Sequence, residues 1–403
     1  MSTSSAGGAP HGLRAPPAPV RLRRVVRVPV FDSTGGLVMR SGYHEKSGLF
    51  LAPRGLRLPR VSHAPTRAEL ARAKSLIYEQ IEDFSFVAEA DRTNAVVFGM
   101  LPYVRDLISG PTPLHLFTKP YPGSGAALLV QALYYPAIGR RAAMQSVPTS
   151  EVEFEYRMRA TLLAGPDLVV FDNVRETLDS GQLSNAITNA TWEGRQIKTS
   201  NLLSLPVTNA WAATGNNVKV SDEMARRVIP TRLDPHTDRP FDRTGFHHSD
   251  LIAWTDGHRS ELVHANLTLL QAYLAEGVPR GSLVVGMFED WAGVMSGIAD
   301  VVGLPDLRAN WSEWNDNRPS DANLIRKVVA AWHAEFADRQ VRARDLLPVI
   351  GPLLDIDPTG ERASETALGI RLRGCQGRVV DGIEIVGRDV SGSMSWRLVR
   401  RSS

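Results

Sequence analysis

The chain has 403 residues, 43% of them hydrophobic and 22% charged, proportions close to those of soluble folds, so it can bury a substantial core divided into two or three domains. Its single cysteine, Cys375, excludes an intrachain disulfide and any cysteine-built zinc site, and a net charge of only +3 does not announce a nucleic-acid protein. No apolar run approaches the ~18 residues of a membrane-spanning helix and the N-terminus lacks the apolar stretch of a secretory signal, which predicts a cytoplasmic protein that does not enter a membrane.

Residues 1–20 are mostly Ser, Gly, Ala and Pro with almost nothing to bury, the composition of a disordered arm. Arg14, Arg21, Arg23, Arg24 and Arg27 stand in the first thirty residues without one acid. That pattern suits phosphate backbones and equally suits tails kept soluble by charge. Residues 21–84 read as a small β/helical unit. VVRVPVF (Val25–Phe31) and GLFLA (Gly48–Ala52) are short strands around a Gly35-Gly36 turn. Thr66 then caps a helix whose apolar positions Leu70, Ala73, Leu76, Ile77 and Ile81 recur at helical spacing.

Residues 85–255 read as an α/β core. After a helix ending at Gly110-Pro111, LHLFT (Leu114–Thr118) is a strand entering a glycine loop, and ALLVQAL (Ala127–Leu133) is the helix that leaves it. DLVVFDN (Asp167–Asn173) and SLPVTNAWAATGNN (Ser204–Asn217) supply further buried strands. The alternation predicts a doubly wound parallel sheet. Residues 256–345 turn helical, with Trp291, Trp311, Trp314 and Trp332 in amphipathic patterns that mark them as packing residues. Residues 346–403 hold a helix near Thr366–Arg373 and two strands, Val379–Val386 and Ser395–Val399. That is the order of a winged helix, with Arg371, Arg373, Arg378, Arg397, Arg400 and Arg401 as candidate DNA-phosphate contacts, although many small α+β caps share it.

PYPGSGAA (Pro120–Ala127) lies between strand and helix, where backbone amides form a nest for phosphate. Lys119, Pro122, Gly123, Ser124, Gly125, Ala126 and Ala127 are the candidate nucleotide-binding residues. Ala126 and Ala127 occupy the positions where a phosphate loop carries its lysine and its Mg²⁺-binding hydroxyl. An ordinary tight turn has the same composition. Asp172, with Asn173 beside it, ends an apolar strand where a carboxylate holds Mg²⁺, or else caps the next helix. Asn216 of TGNN is placed to orient an attacking water, or simply builds a turn. Arg226 and Arg227 offer a guanidinium to a neighbour's phosphate, or pair with Asp222 or Glu223 on the surface. His247, His248 and His258 have no carboxylate or cysteine at ligand spacing and read as solvated loop residues.

The run DRTNAVVFGMLPYVRDLISGPTPLHLFTKPYPGSGAALLV, then DLVVFDN, then TGNNVKVSDEMARRVIPTRLDP with RPFDR, resembles the helicase/ATPase module of phage- and mobile-element primase-helicase proteins, an AAA+-like group near superfamily 3. The resemblance covers about residues 25–300. It implies an AAA+-like P-loop core, ATP and Mg²⁺ as cofactors, and a hexameric ring on DNA. It also implies Asp172 as the Mg²⁺ carboxylate, Asn216 as sensor and Arg226 or Arg227 as finger. Such proteins often carry a primase-polymerase domain upstream; the segment before this core is too short for one, so priming is expected from a separate polypeptide. Ala126 and Ala127 depart from the pattern, and either loss usually abolishes turnover. Nucleotide is then bound without hydrolysis, Lys119 or Arg140 substitutes, or the module is scaffold. Two functions follow: a replication protein of the ATPase/helicase type with impaired hydrolysis, or a non-catalytic AAA+-like adaptor that binds DNA or a partner primase or helicase.

Overall fold

A computed structural model describes residues 22–401 apart from 54, 198, 200, 318–319, 359–361 and 391–392. The predicted arm of residues 1–20, with Arg14, and Arg21 lie outside the described residues. Arg24, read as part of a basic tail, is committed internally: it forms an ion pair with Asp106 at 3.2 Å and donates to the Pro102 carbonyl at 3.0 Å.

The centre is a mixed α/β arrangement around a parallel sheet of five strands. These are β1 (Leu114–Lys119), β2 (Met144–Gln145), β3 (Leu168–Val174), β4 (Ala210–Asn216) and β5 (Val228–Arg232), in the order β5-β1-β4-β3-β2. The three central strands are near-continuous apolar runs because helices cover both faces. The predicted strand from Ser204 is shorter than expected. Leu202–Pro206 turns back on Thr191–Arg195 as an antiparallel hairpin, and β4 starts only at Ala210. β5 contains Pro230, tolerated because β5 is the edge strand of this sheet and needs no ladder donor from that residue.

Helices α1 (Arg67–Gln80), α2 (Glu89–Val104), α3 (Ala126–Ile138), α4 (Glu151–Ala164) and α5 (Gly181–Thr188) surround this sheet. The predicted Thr66 cap forms a full capping box with Glu69. The chain moves three places along the sheet from β1 to β2 through α3, then steps back to β3 through α4. Right-handed crossovers in opposite directions place the two helices on opposite faces. α3 accordingly packs with α2 and α4 with α5. In open α/β sheets the ligand crevice lies where that direction reverses, which here is beyond the carboxyl ends of the strands next to β1.

Further along lie α6 (Asp222–Ala225), α7 (Leu251–Gly257), α8 (Arg259–Ala275), α9 (Glu289–Val302), α10 (Trp311–Asn317), α11 (Asp321–Phe336), α12 (Ala343–Ile350) and α13 (Arg362–Cys375). One continuous core runs from Val26 to Trp314, joining the N-terminal strands, the sheet and α8 and α9. A second core runs from Ile325 to Leu398. The predicted helical stretch 256–345 is therefore divided: α11, with Trp332, packs into the second core against α12. That unit reads helix, short strand (Val341–Arg342), two helices, then strands Val379–Val380, Ile383–Val390 and Ser393–Arg400, the first strand pairing with the last. Among the described residues no helix is long and apolar enough to cross a membrane.

Candidate functional site

β1 delivers its last residue, Lys119, to the crevice, and the chain turns through Pro120–Gly125 into α3. Gly123 and Gly125 adopt φ of 86° and 85°, a region glycine enters without strain. Both are also hemmed in, Gly123 by the backbone and Cβ of Phe241 and Gly125 by the ring of Phe84. A Cβ on Gly123 would stand 3.2 Å from the Phe241 backbone nitrogen, and one on Gly125 would stand 2.9 Å from Cε1 of Phe84. Ser124 donates its hydroxyl to the Tyr121 carbonyl at 2.8 Å. The amides of residues 123–127 find no acceptor among the described residues, and α3 starts without a side-chain cap. Free amides at a helix N-terminus form an electropositive anion seat.

The second and third elements arrive at the same edge. Asn216, the last residue of β4, pairs in register with Lys119, and the Asn217 amide donates to the Lys119 carbonyl at 2.9 Å. Between β3 and β4 the register slips after Ala213, so Asp172 and Asn173 share one partner, Thr214. Asn173 takes a left-handed φ of 54° at the bulge. The Thr214 hydroxyl donates to Asp172 Oδ1 at 2.5 Å and accepts from the Asn173 amide at 3.2 Å. Asp172 does not cap the next helix, because Ser180 does. Gly215 allows this contact: a Cβ there would lie 2.5 Å from Val218 Cγ2 and 2.6 Å from the Val174 carbonyl.

Two polar groups at this edge are under tension. Burial lowers the pKa of Lys119, and the neighbouring Asp172 carboxylate offsets part of that effect. Asn216 Oδ1 is buried with no donor, the state in which an acceptor gains most from a water or ligand.

The remaining candidates lie elsewhere. The Arg227 carbonyl accepts from the Leu114 amide, which sets Arg226 and Arg227 beside the start of β1, ~20 Å of strand from the loop at its end. Arg227 holds Glu223, donating to its carbonyl at 2.6 Å and pairing with its carboxylate at 3.4 Å, while Arg226 is exposed. Arg140 follows the far end of α3, ~20 Å from the loop along the helix, and does not replace a loop lysine.

The C-terminal arginines are spread over several faces. Arg371 turns toward Asp321 at 3.9 Å. Arg373, ~200° further round α13, lines with Arg342, Arg344 and Arg362 a hollow of about 320 Å³ that also touches Ile370. Arg378 is exposed in the turn after α13, Arg397 sits beside His333 and Asp338, and Arg400 is exposed near the end of its strand. Arg401 is occupied by Glu384. Sequence reading missed Arg342, Arg344 and Arg362; the signal available was their position at the starts of α12 and α13.

No protein-family model and no curated protein matches the chain. Faint likenesses exist among solved structures. The A-form apo structure of the NrS-1 C-terminal region is 10% identical with a TM-score of 0.43, covering 93% of this chain and 84% of that one. The helicase described as SCCmec type IV Cch, an active helicase, is 13% identical with a TM-score of 0.37, covering 94% and 79%. A small-molecule complex of JCV helicase is 15% identical with a TM-score of 0.24, covering 66% and 72%.

Proposed function

We propose that the chain is a replication protein of the ATPase/helicase type that holds ATP with Mg²⁺ at the glycine loop, has lost efficient hydrolysis, and grips DNA through its C-terminal unit. The observation that carries this reading is the gathering of free loop amides, Asp172 and Asn216 at one edge of three adjacent parallel strands. In it, the amides of residues 123–127 take the phosphate oxygens, Asp172 holds the metal through water, and Asn216 Oδ1 orients a water at the terminal phosphate. Nothing at positions 126 and 127 supplies the missing cation and hydroxyl. Asn173, an amide, takes no proton from an attacking water. Arg226 lies too far from its own loop to serve it and would serve a neighbour's in a ring.

Titration of a fluorescent ATP analogue with Mg²⁺ tests the site. Asp172→Ala should weaken binding at least tenfold, about 1.4 kcal/mol, and unchanged affinity in that variant ends the reading.

The helix and strand order of residues 321–400, with the first strand paired to the last, supports a winged-helix-like unit in which α13 faces DNA. Arg342, Arg344, Arg362 and Arg373 are then the phosphate contacts. The double substitution Arg344→Gln with Arg373→Gln should reduce the slope of log affinity against log salt by about 2, roughly 0.9 per phosphate contact. A slope equal to that of the natural chain would place DNA elsewhere.

A further inference from the structure

We propose that Glu79, His247 and His248 form a site for one zinc-class divalent transition-metal ion. The histidine pair read as solvated in the sequence has a carboxylate after all, brought by the last turn of α1. His248 Nε2 lies 3.3 Å and His247 Nε2 3.7 Å from the same oxygen, Glu79 Oε1, and the three ligand atoms fall within 4.8 Å of one another. A tetrahedral ion with bonds of ~2.1 Å sets its ligands ~3.4 Å apart, so little movement is needed.

The surroundings favour an ion over a surface ion pair. His248 is nine-tenths buried, with its ring stacked on Trp254 at 4.0 Å, and its Nε2 is a buried nitrogen without a hydrogen-bond partner. The approach to Glu79 therefore satisfies neither group by hydrogen bonding. His247 presents its other nitrogen, Nδ1, to Glu82 at 3.9 Å. At that distance Glu82 favours a ligating imidazole through its charge, short of the hydrogen bond that would fix the tautomer. The His247 amide donates to Asp83 at 3.0 Å, which fixes the backbone before any ion arrives. Two imidazoles and one carboxylate suit zinc, cobalt or nickel; calcium and magnesium prefer all-oxygen shells.

The ion would bolt the end of α1 to the segment between β5 and α7. Phe84 follows the one and packs on Gly125; Phe241 belongs to the other and packs on Gly123. The site thus clamps both walls of the glycine loop, whatever that loop holds.

The test uses the untagged full chain, stripped with chelator and titrated with Zn²⁺ by calorimetry. One ion per chain is expected, with an unfolding midpoint raised several degrees at a hundredfold excess over Kd and a tetrahedral visible spectrum with Co²⁺. Glu79→Gln and His248→Ala should each weaken binding at least a hundredfold, while His258→Ala, at a histidine that also stacks on Trp254, at 4.5 Å, but is not among the three ligands, should bind as the natural chain does. Should His248→Ala not fold, Glu79→Gln decides alone, since Glu79 is partly exposed. Absence of stoichiometric binding in the natural chain, or natural affinity in Glu79→Gln, overturns the site.

Discussion

The double substitution Ala126→Lys with Ala127→Thr should raise DNA-stimulated ATP hydrolysis by about 100-fold or more over the natural chain. A single preorganised charge or donor contributes ~10²–10³ in rate at a transition state. On the proposed reading the groups that would work with the restored pair are the amide seat, Asp172 held by Thr214, and the orphan oxygen of Asn216. Ala126 is fully buried, so the new lysine must run out along the loop to place its ammonium at the phosphates, as long basic side chains do. A thermal midpoint within a few degrees of the natural chain's shows that it does so without cost to the fold. Asp172→Ala in the restored background should return the rate to baseline. If instead the natural chain already hydrolyses ATP at the restored rate and Asp172→Ala stops it, Lys119 supplies the cation and loss of turnover is wrong. If neither form binds nucleotide, the adaptor reading replaces the motor.

The parts of this site legible in the sequence are those written in local pattern. β1, β3 and β4 announce themselves because buried parallel strands are continuous apolar runs. Asp172 and Asn216 follow because they end such runs. β2 is two residues long and β5 is interrupted by Pro230, so edge strands carry too little pattern to be seen. What joins the elements is invisible one residue at a time. Thr214 looks like filler between Ala213 and Gly215 until the bulge puts its hydroxyl between Asp172 and Asn173. The partner of His248 lies on α1, far back in the chain, and no spacing rule for metal ligands reaches it. The basic hollow was missed for a related reason: Val341–Arg342 is a two-residue strand, and without it the second core appears to start later than it does.

Asp91→Ala should destabilise the chain by ~3–5 kcal/mol, the cost of removing one partner of a buried ion pair. Asp91 stands in the first turn of α2 with no exposed surface, and every group around it is a donor. It accepts from the Ala88 amide at 3.0 Å, the Arg232 amide at 2.7 Å, the Arg232 guanidinium at 3.3 Å and Asn310 at 2.6 Å. Burial pushes its carboxyl pKa up while these donors push it down. Asn is no substitute, because its NH₂ would meet a donor whichever way the amide turned. Glu313→Gln is the contrast. Glu313 also pairs with Arg232, at 3.0 Å, yet its side chain is 57% exposed, so its loss should cost under ~1 kcal/mol. Urea unfolding of the two variants checks the difference, and an Asp91→Ala cost no larger than that of Glu313→Gln would refute it. The consequence reaches the crevice. Arg232 ends β5, and the Leu233 amide donates to the Thr118 carbonyl at 2.9 Å, one residue before Lys119. Freeing Arg232 loosens the strand that flanks the glycine loop and the segment that carries Phe241. Nucleotide affinity should therefore fall along with stability in Asp91→Ala and stay unchanged in Glu313→Gln.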